Sequence, residues 1–164
     1  MTTPDDVDGI VASWRRERPD LDVAPLEILS RVSRLARHLD LARRAAFEQH
    51  GLDGWEFDVL VALRRAGAPY ALSPGALVAE TLVTSGTMTN RVDRLAERGY
   101  VRRSPAPRDR RSVIVTLTDE GLAVVDAAFA DLLARERGIL AGLDAAEHAQ
   151  LADLLRRLVA PFES

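Results

Sequence analysis

The sequence predicts a mainly α-helical fold with one small β-hairpin, an α+β chain in which helices dominate. Three observations lead there. Apolar residues recur at three- and four-residue steps through most of the chain, the period of a helix with one buried face. The period shortens to two between Tyr100 and Leu117. Long apolar helical stripes lie near both ends, so the hairpin interrupts a helical chain.

The elements follow in order. A first helix runs from about Asp5 to Arg18, carries Trp14, and is stopped by Pro19. After Pro25 a long helix is marked by Leu26, Leu29, Val32, Leu35, Ala36, Leu39 and Ala42 and continues to about His50, before Gly51. Trp55 to Arg65 forms the next, with Val59, Leu60 and Leu63 apolar and Gly67 closing it. An extended piece, Pro69–Leu72, precedes Ser73-Pro74, an N-cap followed by proline at the first helical position. That short helix spans Pro74–Thr81, and Thr84 or Ser85 caps another that ends at Gly99. Tyr100–Ser104 and Ser112–Leu117 read as strands, with Pro105, Pro107 and the charges between them forming the connecting tip. Thr118 caps a long helix to about Leu140, with Leu122, Val125, Phe129, Leu132 and Leu133 on one side. A last helix covers about Ala145–Leu158.

Composition bounds the function. At 164 residues, 47% hydrophobic and 29% charged, the chain can bury a core and is expected to be one domain with appended helices. It has no cysteine, which removes disulfides, thiol redox sensing and thiolate metal sites. No apolar run approaches the roughly 20 residues of a membrane span. The acidic N-terminus (Asp5, Asp6, Asp8) lacks the features of a secretory signal, so a cytoplasmic location is expected. His38, His50 and His148 are scattered without metal-ligand spacing, and no Ser-His-Asp pattern or glycine-rich phosphate loop is present. Neither an enzyme nor a cofactor is expected.

Charge points to nucleic acid. Residues 84–111 hold eight Arg against three acids, a local +5 in a chain whose net charge is −3. A basic helix and hairpin on an acidic protein are the electrostatic footprint of nucleic-acid binding. In the helix after Thr84, Met88, Val92 and Leu95 fall at i, i+4 and i+7 and face inward. Gly86, Thr87, Asn90 and Arg94 then lie outward. Asn can pair with adenine, Arg with guanine, and a Thr methyl can touch thymine. The hydroxyls of Thr84 and Ser85 can hold phosphate near the free N–H groups of the helix start. With Thr89, these residues form the expected DNA-reading set. Arg108, Asp109, Arg110 and Arg111 sit at the hairpin tip, where Arg on a thin ribbon can enter a minor groove and Asp109 can orient Arg111.

The long end helices carry more apolar surface than a small DNA-reading module needs. They can cover one core or pair with a second chain. Readers of this size commonly occupy two half-sites as dimers, so a homodimer on a pseudo-palindromic duplex is expected.

The order of helix, short helix, T-S-G-T-M-T-N-R-V-D-R-L helix, Y-V-R-R strand, R-D-R-R-S loop and V-T-L-T-D-E-G helix resembles the MarR family of winged helix-turn-helix repressors, over roughly residues 26–160. The resemblance implies a recognition helix over Thr84–Arg98, a wing motif at Asp109 and Arg111, and homodimers held by the terminal helices. It divides the chain into an added helix (5–18), dimerisation helices (26–50 and 118–160) and a winged helix-turn-helix (55–117) within a single domain, 1–164.

A second likeness concerns a ligand. The added helix with Trp14 resembles the urate-responsive branch of that family, whose signature matches Trp14, Asp58 in W-E-F-D, Arg91 in T-N-R and Arg103 in Y-V-R-R. These four are the ligand-binding residues it implies. On the helical wheel Arg91 lies at the flank, between the buried and outward faces, and either pairs with a carboxylate or meets an anion. Urate is a flat anion near neutral pH, and guanidinium offers it planar paired donors. Asp58 is expected to pair with Arg91 or Arg103 in the DNA-competent state. Two alternatives stay open: another aromatic or carboxylate ligand, and an interaction module that does not bind DNA.

Overall fold

The computed structural model describes residues 4–106 and 109–163, with the side chains of residues 109–111 outside that description. Its contacts group into two compact units, residues 1–43 and 44–164. No described helix is long and apolar enough to cross a membrane.

The first unit holds α1 (Asp6–Glu17) and most of α2 (Ala24–Glu48). Asp5 caps α1, accepting from the Val7 and Asp8 N–H groups at 2.8 and 3.1 Å, while the Asp8 carboxylate accepts from the Asp5 N–H at 2.8 Å. Val7, Val11 and Val23 are buried against Leu26. Arg31 of α2 pairs with Asp5 at 2.8 Å and Asp8 at 2.7 Å, and Arg34 with Asp6 at 2.9 Å. The Arg31 guanidinium holds the Asp5 carboxyl below its ordinary value. These pairs are exposed, so they orient α1 more than they stabilise it.

The second unit carries α3 (Gly54–Arg65), β1 (Ala71–Leu72), α4 (Pro74–Thr81), α5 (Ser85–Glu97), β2 (Val101–Ala106), β3 (Asp109–Leu117), α6 (Asp119–Leu140), α7 (Ala145–Val159) and a 3-10 turn, Ala160–Phe162. Its core is built from the apolar faces of α3, α4, α5, β3 and α6, including Leu60, Leu63, Leu77, Met88, Val92, Leu95, Val115 and Val125, with Phe47 stacked on Phe57 at 4.1 Å. Ser73 caps α4 through a bond from the Ala76 N–H at 3.2 Å, with Pro74 beginning the helix. The small sheet is antiparallel in the order β1-β3-β2, with Ala71 opposite Thr116 and Arg103 opposite Val115.

The hairpin differs from expectation. Pro105 and Ala106 lie within β2 rather than in the tip, and β3 begins at Asp109 rather than Ser112. Proline lacks the N–H that a central strand must donate, which favours a place in the tip. In this sheet β2 is an edge strand, where a proline need not donate to a neighbour, and the register shifts between Pro105 and Ala106.

The joint between wing and α6 is tight. Gly99 closes α5 at φ +77°, a left-handed conformation that glycine adopts without steric cost. The Thr118 hydroxyl donates to the Gly99 carbonyl at 2.7 Å and accepts from the Gly121 N–H at 3.0 Å, and the Thr118 N–H donates to the Tyr100 carbonyl at 3.0 Å. A Cβ on Gly121 would run into the Tyr100 carbonyl oxygen and come within 3.2 Å of the Leu117 side chain. Gly121→Ala must therefore displace backbone. It is expected to cost about 2 kcal/mol, the scale of overpacking a fitted site. A urea unfolding curve checks this, and an unchanged midpoint would show that α6 can slide freely against Tyr100.

Apolar side chains remain exposed on the end helices. Ile28, Leu29 and Leu41 of α2 are uncovered, as are Leu154, Leu155, Leu158 and Val159 of α7 and Phe162 beyond it. Neither α7 nor the turn that follows buries any residue.

Candidate nucleic-acid interface

The sequence of α5 builds one inward and one outward face. Met88, Val92 and Leu95 are fully buried, so the helix is seated by its apolar stripe. Thr84, Ser85, Gly86, Thr87, Thr89, Asn90 and Arg94 are all exposed. Thr84 caps the helix. Its hydroxyl accepts from the Thr87 N–H at 3.3 Å and lies 2.9 Å from the Thr87 hydroxyl. Thr89 turns its hydroxyl back to the Ser85 carbonyl at 3.1 Å. The turn before α5 is made by Leu82 in the left-handed region, φ +53°, with its side chain 92% exposed.

Four arginines of the basic segment divide into two kinds. Arg98 is structural. Its guanidinium meets the Glu56 carboxylate at 2.6 Å, donates to the Gly51 carbonyl at 2.9 Å, and lies over the Tyr100 ring at 4.7 Å. The same Glu56 oxygen accepts from the Asp53 N–H at 2.9 Å, joining the start of α3 to the end of α5. The Glu56 carboxylate raises the Arg98 pKa. Arg103 of β2 pairs with Asp93 of α5 at 2.6 Å and donates to the Thr89 carbonyl at 3.4 Å, tying the wing to the helix.

Arg91 and Arg94 are of the second kind. Among the described residues neither meets a carboxylate within ion-pair distance. Both lie instead over the ring of Trp55 at the start of α3, at 5.6 and 5.1 Å. Trp55, Thr87, Asn90, Arg91 and Arg94 line a depression of about 240 Å³. Two guanidinium groups that meet no carboxylate among the described residues, beside an amide and a hydroxyl, give this flank the donors that an anion or a polar base edge would accept.

The four residues of the ligand signature fall in different places. Arg91, half-buried, shares a flank with Thr87 and Arg94, whereas Arg103 meets the other flank through Asp93 and Thr89. The carboxylate found on Arg103 is thus Asp93, which the sequence reading passed over. Asp58 is exposed on α3. Trp14 is 48% exposed in the first unit and lines an apolar groove of about 410 Å³ with Leu21, Val23, Pro25 and Leu26. Of the wing-tip set, Arg108 and the side chains of Asp109, Arg110 and Arg111 lie outside the described residues, though residues 109–111 belong to the backbone of β3.

Sequence reasoning missed Trp55, Asp93 and the Glu56–Arg98 pair. Only Glu56 left a local signal, since Asp53 followed three residues later by Glu56 is the spacing of a capping box.

A short helix, a left-handed turn, a capped helix with an exposed polar face and a following hairpin define a winged helix-turn-helix, the architecture of a DNA-binding regulator. The comparisons with known proteins give its family. A MarR family profile matches residues 50–112. The HTH-type transcriptional regulator PecS of Dickeya dadantii is 42% identical over 153 residues, covering 93% of this chain and 92% of that protein. A solved structure of a mutant MarR from E. coli has a TM-score of 0.68 at 26% identity, covering 85% of this chain and 99% of that one. A structure of Bordetella bronchiseptica BpsR, described with a mechanism for regulation of its DNA binding by 6-hydroxynicotinic acid, has a TM-score of 0.59 at 32% identity, covering 77% and 91%. The chain belongs to the MarR family of transcriptional regulators and is not an enzyme.

Proposed function

We propose that the protein is a homodimeric repressor that reads a pseudo-palindromic operator with α5 and leaves it when a small planar anion, such as urate, binds. The observation that carries the DNA reading is the outward flank of α5, where Arg94 meets no carboxylate among the described residues and stands beside Thr87 and Asn90. Two copies would place their recognition helices in successive major grooves, roughly one helical turn apart. Arg108, Arg110 and Arg111, with Asp109 orienting Arg111, would meet the flanking minor grooves. The exposed apolar residues of α2 and α7 are the surfaces we assign to the dimer. A gel shift on the upstream intergenic DNA at increasing salt tests this. Specific retardation with a steep loss in salt is expected, because phosphate contacts release counterions.

For the ligand we propose Arg103 as the principal anion contact. An anion that takes its guanidinium must displace Asp93 and so loosen the wing from α5. Asp58, Arg91 and Trp14 are assigned to the ligand on the resemblance to the urate-responsive branch, Trp14 through the flat face that its own apolar groove presents. Release of DNA requires the ligand to favour one state over the other, typically by about 1–3 kcal/mol of coupling. A second reading, a flat aromatic carboxylate, is favoured by the regulation of BpsR by 6-hydroxynicotinic acid. Thermal-shift titrations with urate and with 6-hydroxynicotinic acid distinguish the two, since a ligand at a hundred times its Kd stabilises the native state by about 2.7 kcal/mol. Arg103→Ala is expected to abolish the shift with the true ligand. A wild-type shift in that variant removes Arg103 from the site.

A further inference from the structure

We propose that Trp55, which lies on α3 outside the recognition helix, is a positioning residue that sets the pose of Arg94 and through it the base preference of α5. The inference deepens the DNA-reading proposal and rests on it.

An arginine reads a guanine edge only if its planar fork arrives in the plane of the base, and a flexible side chain must be held to do so. In this molecule carboxylates hold Arg98 and Arg103. Arg94 has no such holder among the described residues. Its guanidinium carbon lies 5.1 Å from the centre of the Trp55 ring, within the distance at which the negative face of an indole attracts a cation. Arg91, at 5.6 Å, shares the same ring.

The ring is itself fixed. Its Nε1–H donates to the Asp53 carboxylate at 3.2 Å, and its half-buried body packs against the core. An aromatic holder has a consequence that a carboxylate holder lacks. It orients the guanidinium without neutralising it and without occupying its donors, so the full charge and the donor fork stay available to DNA. A carboxylate there would compete with the base for the same N–H groups.

The test uses the full chain and a duplex that the wild type enriches from a random pool, against a scrambled duplex of equal composition. Trp55→Leu is expected to reduce the preference for the enriched duplex by roughly three- to tenfold, the range of one or two exposed cation–π contacts. The salt slope should not change, because no charge is removed. Trp55→Phe, which keeps an aromatic face, should retain most of the preference. In an Arg94→Ala background Trp55→Leu should add nothing, a coupling that a merely structural role would not produce. Trp55→Met serves as the apolar variant if Trp55→Leu lowers the melting temperature.

Equal losses in the presence and absence of Arg94 would overturn the proposal, as would full preference in a folded Trp55→Leu or Trp55→Met. If the wild type enriches no duplex, the DNA-reading proposal fails first and this one with it. If the wild type enriches one and the Trp55 variants match it, this proposal fails alone.

Discussion

Arg98→Ala is expected to lower the stability of the protein by about 3–5 kcal/mol, because it leaves a carboxylate buried without its partner. The group left behind is Glu56, only 3% exposed, and its pairing with Arg98 at 2.6 Å crosses from α3 to α5. Arg98 itself is partly exposed, so the reverse deletion is milder. Glu56→Gln keeps an acceptor for the Asp53 N–H and for Arg98, and about 1–2 kcal/mol is expected there, the scale of a lost charge-assisted hydrogen bond. The measurement is a pair of urea unfolding curves, read as a shift in midpoint at constant slope. The same variant makes a second, opposite statement. Arg98 belongs to the basic segment by composition, yet its charge is taken by Glu56. Arg98→Ala should therefore leave the salt slope of DNA binding unchanged under conditions where the variant remains folded. A slope reduced by about two units, one for each copy in the dimer, would mean that Arg98 meets a phosphate after all.

That contrast shows what the sequence could and could not disclose. Helices were legible because their signal is local: an apolar period of three and four residues, with Ser73, Thr84 and Thr118 capping starts and Gly51, Gly67 and Gly99 following ends, places every helix to within two residues. The two faces of α5 were legible for the same reason. The hairpin was misjudged at Pro105, because whether a strand lies at an edge depends on the order of strands and not on the residues within it. Pairing was the least visible layer. Glu56 and Arg98 are 42 residues apart, and Arg103 finds Asp93 across an element boundary. A count of charges gives only a local +5, whereas the fold ties Arg98 and Arg103 to carboxylates and, among the described residues, lays Arg91 and Arg94 over the ring of Trp55. In the sequence Trp55 marks only the start of a helix, and the fold alone brings two arginines onto its ring.

The joint replacement Asn90→Ala with Arg94→Ala is expected to weaken binding to the preferred duplex by at least about 4 kcal/mol, roughly a thousandfold, if each of the four side chains that a dimer loses reads one base at about 1–3 kcal/mol. Both residues are exposed on the outward face of α5, and neither supports the buried stripe of Met88, Val92 and Leu95. The helix should therefore remain folded, and circular dichroism should confirm it. The decisive feature is how the loss is distributed over sequence. A base-reading side chain loses affinity at one base pair of each half-site, so each single variant should become indifferent there while keeping its preferences elsewhere. Asn90→Ala removes no charge and should leave the salt slope alone, whereas Arg94→Ala can lower it by no more than about two units, one for each copy in the dimer. Weak binding to scrambled DNA, carried by phosphate contacts, should survive both changes nearly intact. A loss spread equally over all duplexes would mean that this face only grips the backbone. Sequence preference would then have to come from DNA shape or from the wing.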